Sequence, residues 1–345
     1  MARRCPRCTF ALTSTSQGTI ELDHCDRCGG TFFDAGEARM TMGDATEPST
    51  WVEKNFARSL GESKLRCPAA HGPMEAYDLG IDHLQVEVDV CPKCKGLWLD
   101  RSEVKQFITL LEKERTDEAR AQMSAGGVKT YLFQLFTGFP IEVYNPVRRR
   151  PWFLYGLTLV LIGAFVAELV FGKRFVEHWY LDPTQFRHGH QLWGLLTYGL
   201  LHGGIGHLLG NMYFLYVFGD NVEDRLGKLG FAAVFFLASI AGGLLHCAAL
   251  LGESMPVVGA SGGIAGLLAA YLVLFPRVKV WVVFLFVRFQ LSVLWYFGIW
   301  IGLQFLYASL GLPGIAWYAH IGGFFAGGLV AWLLRPRKLT KLVKI

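Results

Sequence analysis

The chain has 345 residues, 52% of them hydrophobic and 14% aromatic, with 33 Lys and Arg against 28 Asp and Glu for a formal net charge of +5. With a mean hydropathy of +0.33, this is out of place in a soluble protein and fits a membrane domain carrying a soluble extension. Most of the basic surplus flanks apolar segments, so the charge reads as membrane topology and nucleic acid is not an expected partner.

Residues 1–150 hold seven of the eight cysteines and most of the acidic residues, whereas 151–345 is dominated by Leu, Phe, Gly, Val and Trp. Two domains are expected. Met1, Ala2, Arg3 and Arg4 lead to Cys5 without an apolar stretch, so no secretory signal is expected and the first half should stay cytosolic. In a reducing compartment, paired thiols are metal ligands more often than disulfides.

Cys5 and Cys8 form one CxxC, and Cys25 and Cys28 form a second at a spacing typical of a four-thiolate zinc site. Cys67 and His71, followed by Cys91 and Cys94, repeat the pattern with three sulfurs and one imidazole. His71 stands one position later than a second cysteine would, which leaves His24 or His83 as competing ligands. The repeat extends past the ligands, since Cys25 to Glu37 reads CDRCGGTFFDAGE and Cys91 to Glu103 reads CPKCKGLWLDRSE. The pattern resembles the small zinc ribbons related to that of transcription factor IIB. Two structural zinc ions are expected in modules over 1–45 and 62–115, with no coordination position open for catalysis and none needed as a catalytic cofactor.

Ser102 to Arg115 places Val104, Phe107, Ile108 and Leu111 at helical spacing, which predicts a docking helix. Residues 116–150 are expected to hold a linker, at Ala119 to Lys129, and then Tyr131 to Tyr144, which either lies on the membrane surface or packs as a soluble helix.

From 151 to 337 the expected fold is an all-α polytopic membrane domain of six transmembrane helices, with a basic tail over 338–345. The segments are predicted at Trp152 to Phe171, Trp193 to Phe218, Phe231 to Leu251, Val257 to Phe275, Phe289 to Leu310 and Trp317 to Leu334. In the fifth, Arg277, Lys279 and Arg288 bracket an apolar run that also suits a short surface element. Basic residues favour one side: Arg148, Arg149, Arg150, Arg225, Lys228, Arg277, Lys279, Arg288, Arg335, Arg337, Lys338, Lys341 and Lys344, against Lys173, Arg174 and Arg187 on the other. The positive-inside rule then puts both termini and the ribbons in the cytosol.

Segments two, four and six start on the same side, so His207 and Asn211, Ser261, and His320 share a depth near the outer face. Polar groups in a bilayer are costly and mark function. Serine needs a base to become a nucleophile, and His320 supplies one. The amide of Asn211, His207 and the Ser261 backbone N–H are candidate oxyanion donors. Gly259, Gly262, Gly266, Gly323 and Gly327 let two helices approach closely, although simple packing explains them as well.

The runs GASGG at 259–263, AHIGGFFAG at 319–327 and HGGIGHLLGN at 202–211 resemble the rhomboid family of intramembrane serine proteases. The resemblance implies a six-helix fold, a dyad of Ser261 and His320 without a third acid, oxyanion donors His207 and Asn211, a supporting His202, and a polar turn at Gly219 and Glu223. It implies substrates that are transmembrane proteins cut within or beside a helix, near small residues, in a multi-pass protein of the bacterial inner membrane. Two positions depart from the family pattern: Gly194 follows Trp193 where an arginine often stands, and Ala265 replaces an aromatic that packs under the histidine. His246 and Cys247 are expected as packing residues and Glu168 as an interface or loop-contacting carboxylate. The rival readings are a catalytically silent client-binding membrane protein and a membrane-anchored zinc-ribbon adaptor. The near-neutral ribbons fit a cytosolic protein partner better than nucleic acid.

Overall fold

The computed structural model describes residues 3–17, 20–42, 46–48, 51, 57–81, 84–145, 147, 149–312 and 314–335. The chain divides into two units, Met1–Gly127 with Tyr144–Arg148 and Pro336–Ile345, and Val128–Val143 with Arg149–Arg335. His83 and the basic tail over 338–345 lie outside the described residues.

In the first unit every cysteine pair sits in a tight turn. Cys25 N–H donates to the Gly30 carbonyl at 2.9 Å and Gly29 N–H to that of Cys25 at 2.8 Å, and Cys91, Gly96 and Lys95 repeat the pattern. From these turns run β1 (Thr13–Gln17), β2 (Ile20–His24), β3 (Thr31–Phe33), β4 (Ala57–Arg66), β5 (Pro73–Ile81), β6 (Leu84–Val90) and β7 (Leu97–Leu99). They form one antiparallel sheet in the order β1-β2-β3-β7-β6-β5-β4. The two repeats therefore join at their equivalent strands, with Phe32 directly opposite Trp98. The exchange is reciprocal: a side chain on Gly30 would overlap the Trp98 ring, and one on Gly96 the Phe32 ring.

The recurring Asp and Glu open helices. Asp34 N–H donates to Glu37 at 2.7 Å where α1 (Glu37–Met42) begins, and Asp100 N–H to Glu103 at 2.6 Å in the capping box of α2 (Arg101–Gly126). On α2, Phe107, Leu110 and Leu111 are buried with Val86, Val88, Leu97 and Leu99, while Trp51 meets Phe107 edge-on at 5.9 Å. Residues 119–129, expected as a linker, are helical except at Gly127. Ala, Arg, Glu, Gln and Met in EARAQMSA are strong helix formers, so propensity carries α2 past its last apolar contact.

The second unit opens with α3 (Val128–Thr137) and β8 (Ile141–Glu142), so the Tyr131 to Tyr144 segment is part helix and part strand. Then follow α4 (Trp152–Phe171), α5 (Lys173–Trp179), α6 (Pro183–Arg187), α7 (Gly194–Thr197), α8 (Ile205–Ala249) and α9 (Ser261–Leu274). A hairpin of β9 (Lys279–Phe284) and β10 (Val287–Ser292), with β8 on its edge, precedes α10 (Val293–Ser309) and α11 (Trp317–Leu334).

Among the described residues three helices, α4, α8 and α11, are long and apolar enough to cross a membrane, and α9 and α10 are shorter apolar helices. Gly227 interrupts α8 with φ 72° and ψ 172°, so α8 is two rods end to end. The expected start at Trp193 gives way to Ile205, because Trp193 to Leu200 forms short helical turns and Gly204 takes φ 153°. The fourth and fifth segments begin at Ser261 and Val293, later than Val257 and Phe289, and Phe289 lies in the hairpin, which answers to the surface-element alternative. Leu159, Val170 and Leu229 are exposed at 70%, 69% and 88%, an apolar surface suited to lipid. Helix α9 is buried on every side from Gly262 to Tyr271, which makes it the centre of the unit. Glu223 accepts N–H bonds from Phe153 at 2.9 Å and Leu154 at 2.8 Å and so ties α8 to the start of α4.

Candidate active site and zinc centres

A zinc tetrahedron with bonds of about 2.3 Å has sulfur–sulfur edges of about 3.8 Å. The sulfurs of Cys5 and Cys28 are 3.6 Å apart and those of Cys8 and Cys25 are 3.4 Å apart. In the second centre Cys67 and Cys94 are 3.7 Å apart, and His71 Nδ1 lies 3.7 Å from Cys67 and 3.9 Å from Cys91. Within each quartet all ligand atoms fall inside 4.8 Å. His71 completes the second quartet, whereas His24 turns instead to the Thr31 hydroxyl at 3.2 Å. Both sets fit zinc, and every coordination position is taken by protein.

The glycines of the second unit let three helices meet backbone to backbone. A side chain on Gly323 would overlap the Gly262 carbonyl, one on Gly327 the Gly266 backbone, and one on Gly242 the Ala319 carbonyl. These contacts join the second rod of α8 to the first half of α11, and α11 to the first turns of α9. A cavity of about 690 Å³ opens there, and His207, Asn211, Ser261 and His320 all line it. All four residues singled out in the sequence are thus brought to one place.

A methyl group built at Gly259 would lie 2.8 Å from His207 Nε2 and 3.5 Å from Ser261 Oγ, so only glycine leaves the space between them open. Gly203 N–H donates to His207 Nδ1 at 3.3 Å. A backbone N–H can only donate, so Nδ1 is the acceptor and the ring proton sits on Nε2, on the Ser261 side. Asn211 is buried and its amide nitrogen has no hydrogen-bond partner among the described residues. Ser261 is the first residue of α9, where backbone N–H groups lack intrahelical acceptors.

Two residues that motif reading missed come from α10. Gln304, only 5% exposed, places Oε1 2.7 Å from His320 Nδ1, and the Trp300 ring lies 5.8 Å from that of His320 at an interplanar angle of 31°. Trp300 supplies from another helix the aromatic neighbour that Ala265 lacks, and both line the cavity. Gln304 is a lone buried amide on an otherwise apolar helix, a signal that could have flagged it.

The remaining residues fall around this site. His202 is buried against His207 with ring centroids 5.4 Å apart, and its backbone N–H donates to Glu168 at 2.9 Å. His246 faces the Met255 carbonyl at 3.0 Å and does not line the cavity. Cys247 is buried in a small apolar cluster. Gly194 is required, since a side chain there would come within 2.6 Å of the Tyr180 carbonyl. The loop is held instead by Trp193 donating to His178 at 2.9 Å and by Thr197 donating to Trp179 at 2.7 Å.

Fold and cavity together define an integral membrane protein with a serine- and histidine-lined pocket behind a zinc-binding unit. Residues 189–337 match the rhomboid domain, and residues 4–41 and 66–109 match the transcription factor zinc-finger family. The chain carries a rhomboid domain behind two zinc ribbons. Relatives include RHOMBOID-like protein 7 of Arabidopsis thaliana, 33% identical over 43% of this chain and 44% of its own length. RHOMBOID-like protein 2 of the same plant is 35% identical, over 46% of this chain and 47% of its own. The mitochondrial RHOMBOID-like protein 12 is 28% identical, over 59% of this chain and 65% of its own. The chain thus spans less than half the length of the first two.

Proposed function

We propose that the protein is an intramembrane serine endopeptidase that cuts transmembrane proteins within or beside their membrane helices. The observation that carries this reading is the single cavity lined by Ser261, His320, His207 and Asn211 from three different helices. Ser261 Oγ attacks the scissile carbonyl while His320 takes its proton. The oxyanion that forms is met by the Nε2–H of His207, the unpaired amide of Asn211 and the free N–H groups opening α9. His320 then protonates the leaving amine, and with water the sequence runs again to release the acyl group. Phe139, Phe214, Val258, Ile264, Leu268 and Ile315 give the cavity apolar walls, which suit a segment drawn from a membrane helix.

On this reading the two rods of α8 join α4, α9, α10 and α11 as six membrane segments. The basic residues favour a ribbon unit on the cytosolic side, and the membrane we propose is a bacterial inner membrane. The ribbons bind a cytosolic protein partner or respond to metal. The deciding experiment offers purified protein a panel of single-span substrates beside Ser261→Ala. Cleavage by the wild type alone is expected; equal cleavage by both would refute the Ser261 assignment, and absent cleavage in both would favour a client-binding protein. A fluorophosphonate is expected to label Ser261, and to lose that labelling in His320→Ala.

A further inference from the structure

Resting on the assignment of Ser261 and His320 above, we infer that Gln304 is the positioning residue that fixes the tautomer of His320. The amide nitrogen of Gln304 lies 3.4 Å from the Trp300 carbonyl, a group that can only accept. The Gln304 oxygen is therefore the end turned toward His320 Nδ1, 2.7 Å away. An oxygen there requires Nδ1 to carry the ring proton. Nε2 is left with its lone pair, as a base for Ser261 must be. An amide presenting its NH2 group to the imidazole would fix the opposite tautomer, in which Nε2 is already protonated and cannot accept.

Helix α10 buries only Val293, Phe297 and Gln304, and the other two are apolar. Ordering a glutamine side chain in an apolar setting costs free energy unless its polar atoms are bonded. Trp300 and Gln304 are four residues apart, on one face of α10, so a single helix supplies both the ring beside His320 and the acceptor behind it.

The charge environment is simple. Of the described residues lining the cavity, His207 on α8 is the other histidine, and none is Asp, Glu, Lys or Arg. On α9 the lining groups are Ser261, Ile264, Ala265 and Leu268. Trp317 meets His320 on its own helix α11, and His246 on α8 is engaged by Met255. A carboxylate introduced at 304 would thus be the dominant new charge on His320.

The test is the rate at which a fluorophosphonate labels Ser261, followed from pH 4 to pH 9 in the purified full-length protein. Gln304→Glu preserves shape and adds a charge that stabilises the imidazolium, so the acid limb is expected to move up by about one pH unit or more with the plateau rate retained. Gln304→Met preserves volume but removes the acceptor, and is expected to lower the plateau at least tenfold and shift the limb down. A Gln304→Glu limb that coincides with the wild type would overturn the inference, as would a Gln304→Met profile equal to the wild type. Should Gln304→Met fail to fold, the Gln304→Glu limb alone decides. Absence of Ser261 labelling in the wild type is a distinct result, which overturns the protease reading and this inference with it.

Discussion

Gly259 shows how much a missing side chain does at the level of one residue. With φ at 133° and both His207 and Ser261 inside the reach of a methyl group, it takes the left-handed approach to α9 that glycine allows and leaves the space between those two side chains open. Its neighbours in the GASGG run made Ser261 legible, because that signal is local. Gln304 was not, since its meaning depends on α10 packing beside a histidine sixteen positions further on. At the other end of the chain, burial pushes the Glu103 carboxyl up to about 7, with the charges of Asp100 and Asp89 adding to the effect. A pKa raised on folding means that the contribution is full below the ordinary value of 4.5 and is lost as pH rises through about 7. Glu103→Gln keeps the hydrogen bond from Asp100 N–H and removes the charge. Its melting temperature, followed from pH 6 to pH 8 with zinc bound, is expected to fall less than that of the wild type; an unchanged slope would assign the carboxyl no part in it.

The unit of construction in the first half is an element pair, not a single ribbon. The repeat of ligands, aromatic, Asp and Glu was legible, and the structure shows its local causes as knuckle turns and capping boxes. That β3 and β7 would pair was not legible, because strand partners are chosen by long-range burial that no spacing records. The same limit hid the β9–β10 hairpin, whose apolar run fits a strand and the start of a helix equally well. Pairing β3 with β7 puts Cys5, Cys25, Cys67, Cys91, Phe32 and Trp98 in one buried cluster. Zinc binding at either centre is therefore expected to order the floor of the other. Cys91→Ser is expected to weaken zinc at the intact four-cysteine site by about tenfold or more, read as chelator competition on the full chain. Retention of one zinc at wild-type affinity would show that the centres are independent despite their shared core.

At the scale of the whole molecule, the two units ask for different experiments because every residue lining the cavity falls between 139 and 320. The rhomboid-bearing unit has its own core, built from Leu154, Leu161, Phe218, Phe231, Phe235 and Tyr271 among others. Deleting residues 1–127 is thus expected to leave fluorophosphonate labelling of Ser261 within about twofold of the full chain, since no group that acts on Ser261 is lost. Each ribbon quartet supplies four protein ligands, so on the proposed reading a contribution of the ribbons to proteolysis is expected to enter through what they bind. Substrate choice or the amount of enzyme in the membrane should then change in the deletion, and so should the response to added zinc. A panel of single-span substrates cleaved in parallel by full-length and shortened protein separates these effects from chemistry. If labelling is kept while substrate choice, membrane level and zinc response also stay the same, the ribbons neither regulate the protease nor recruit for it. Loss of labelling would instead assign them a structural part in forming the site.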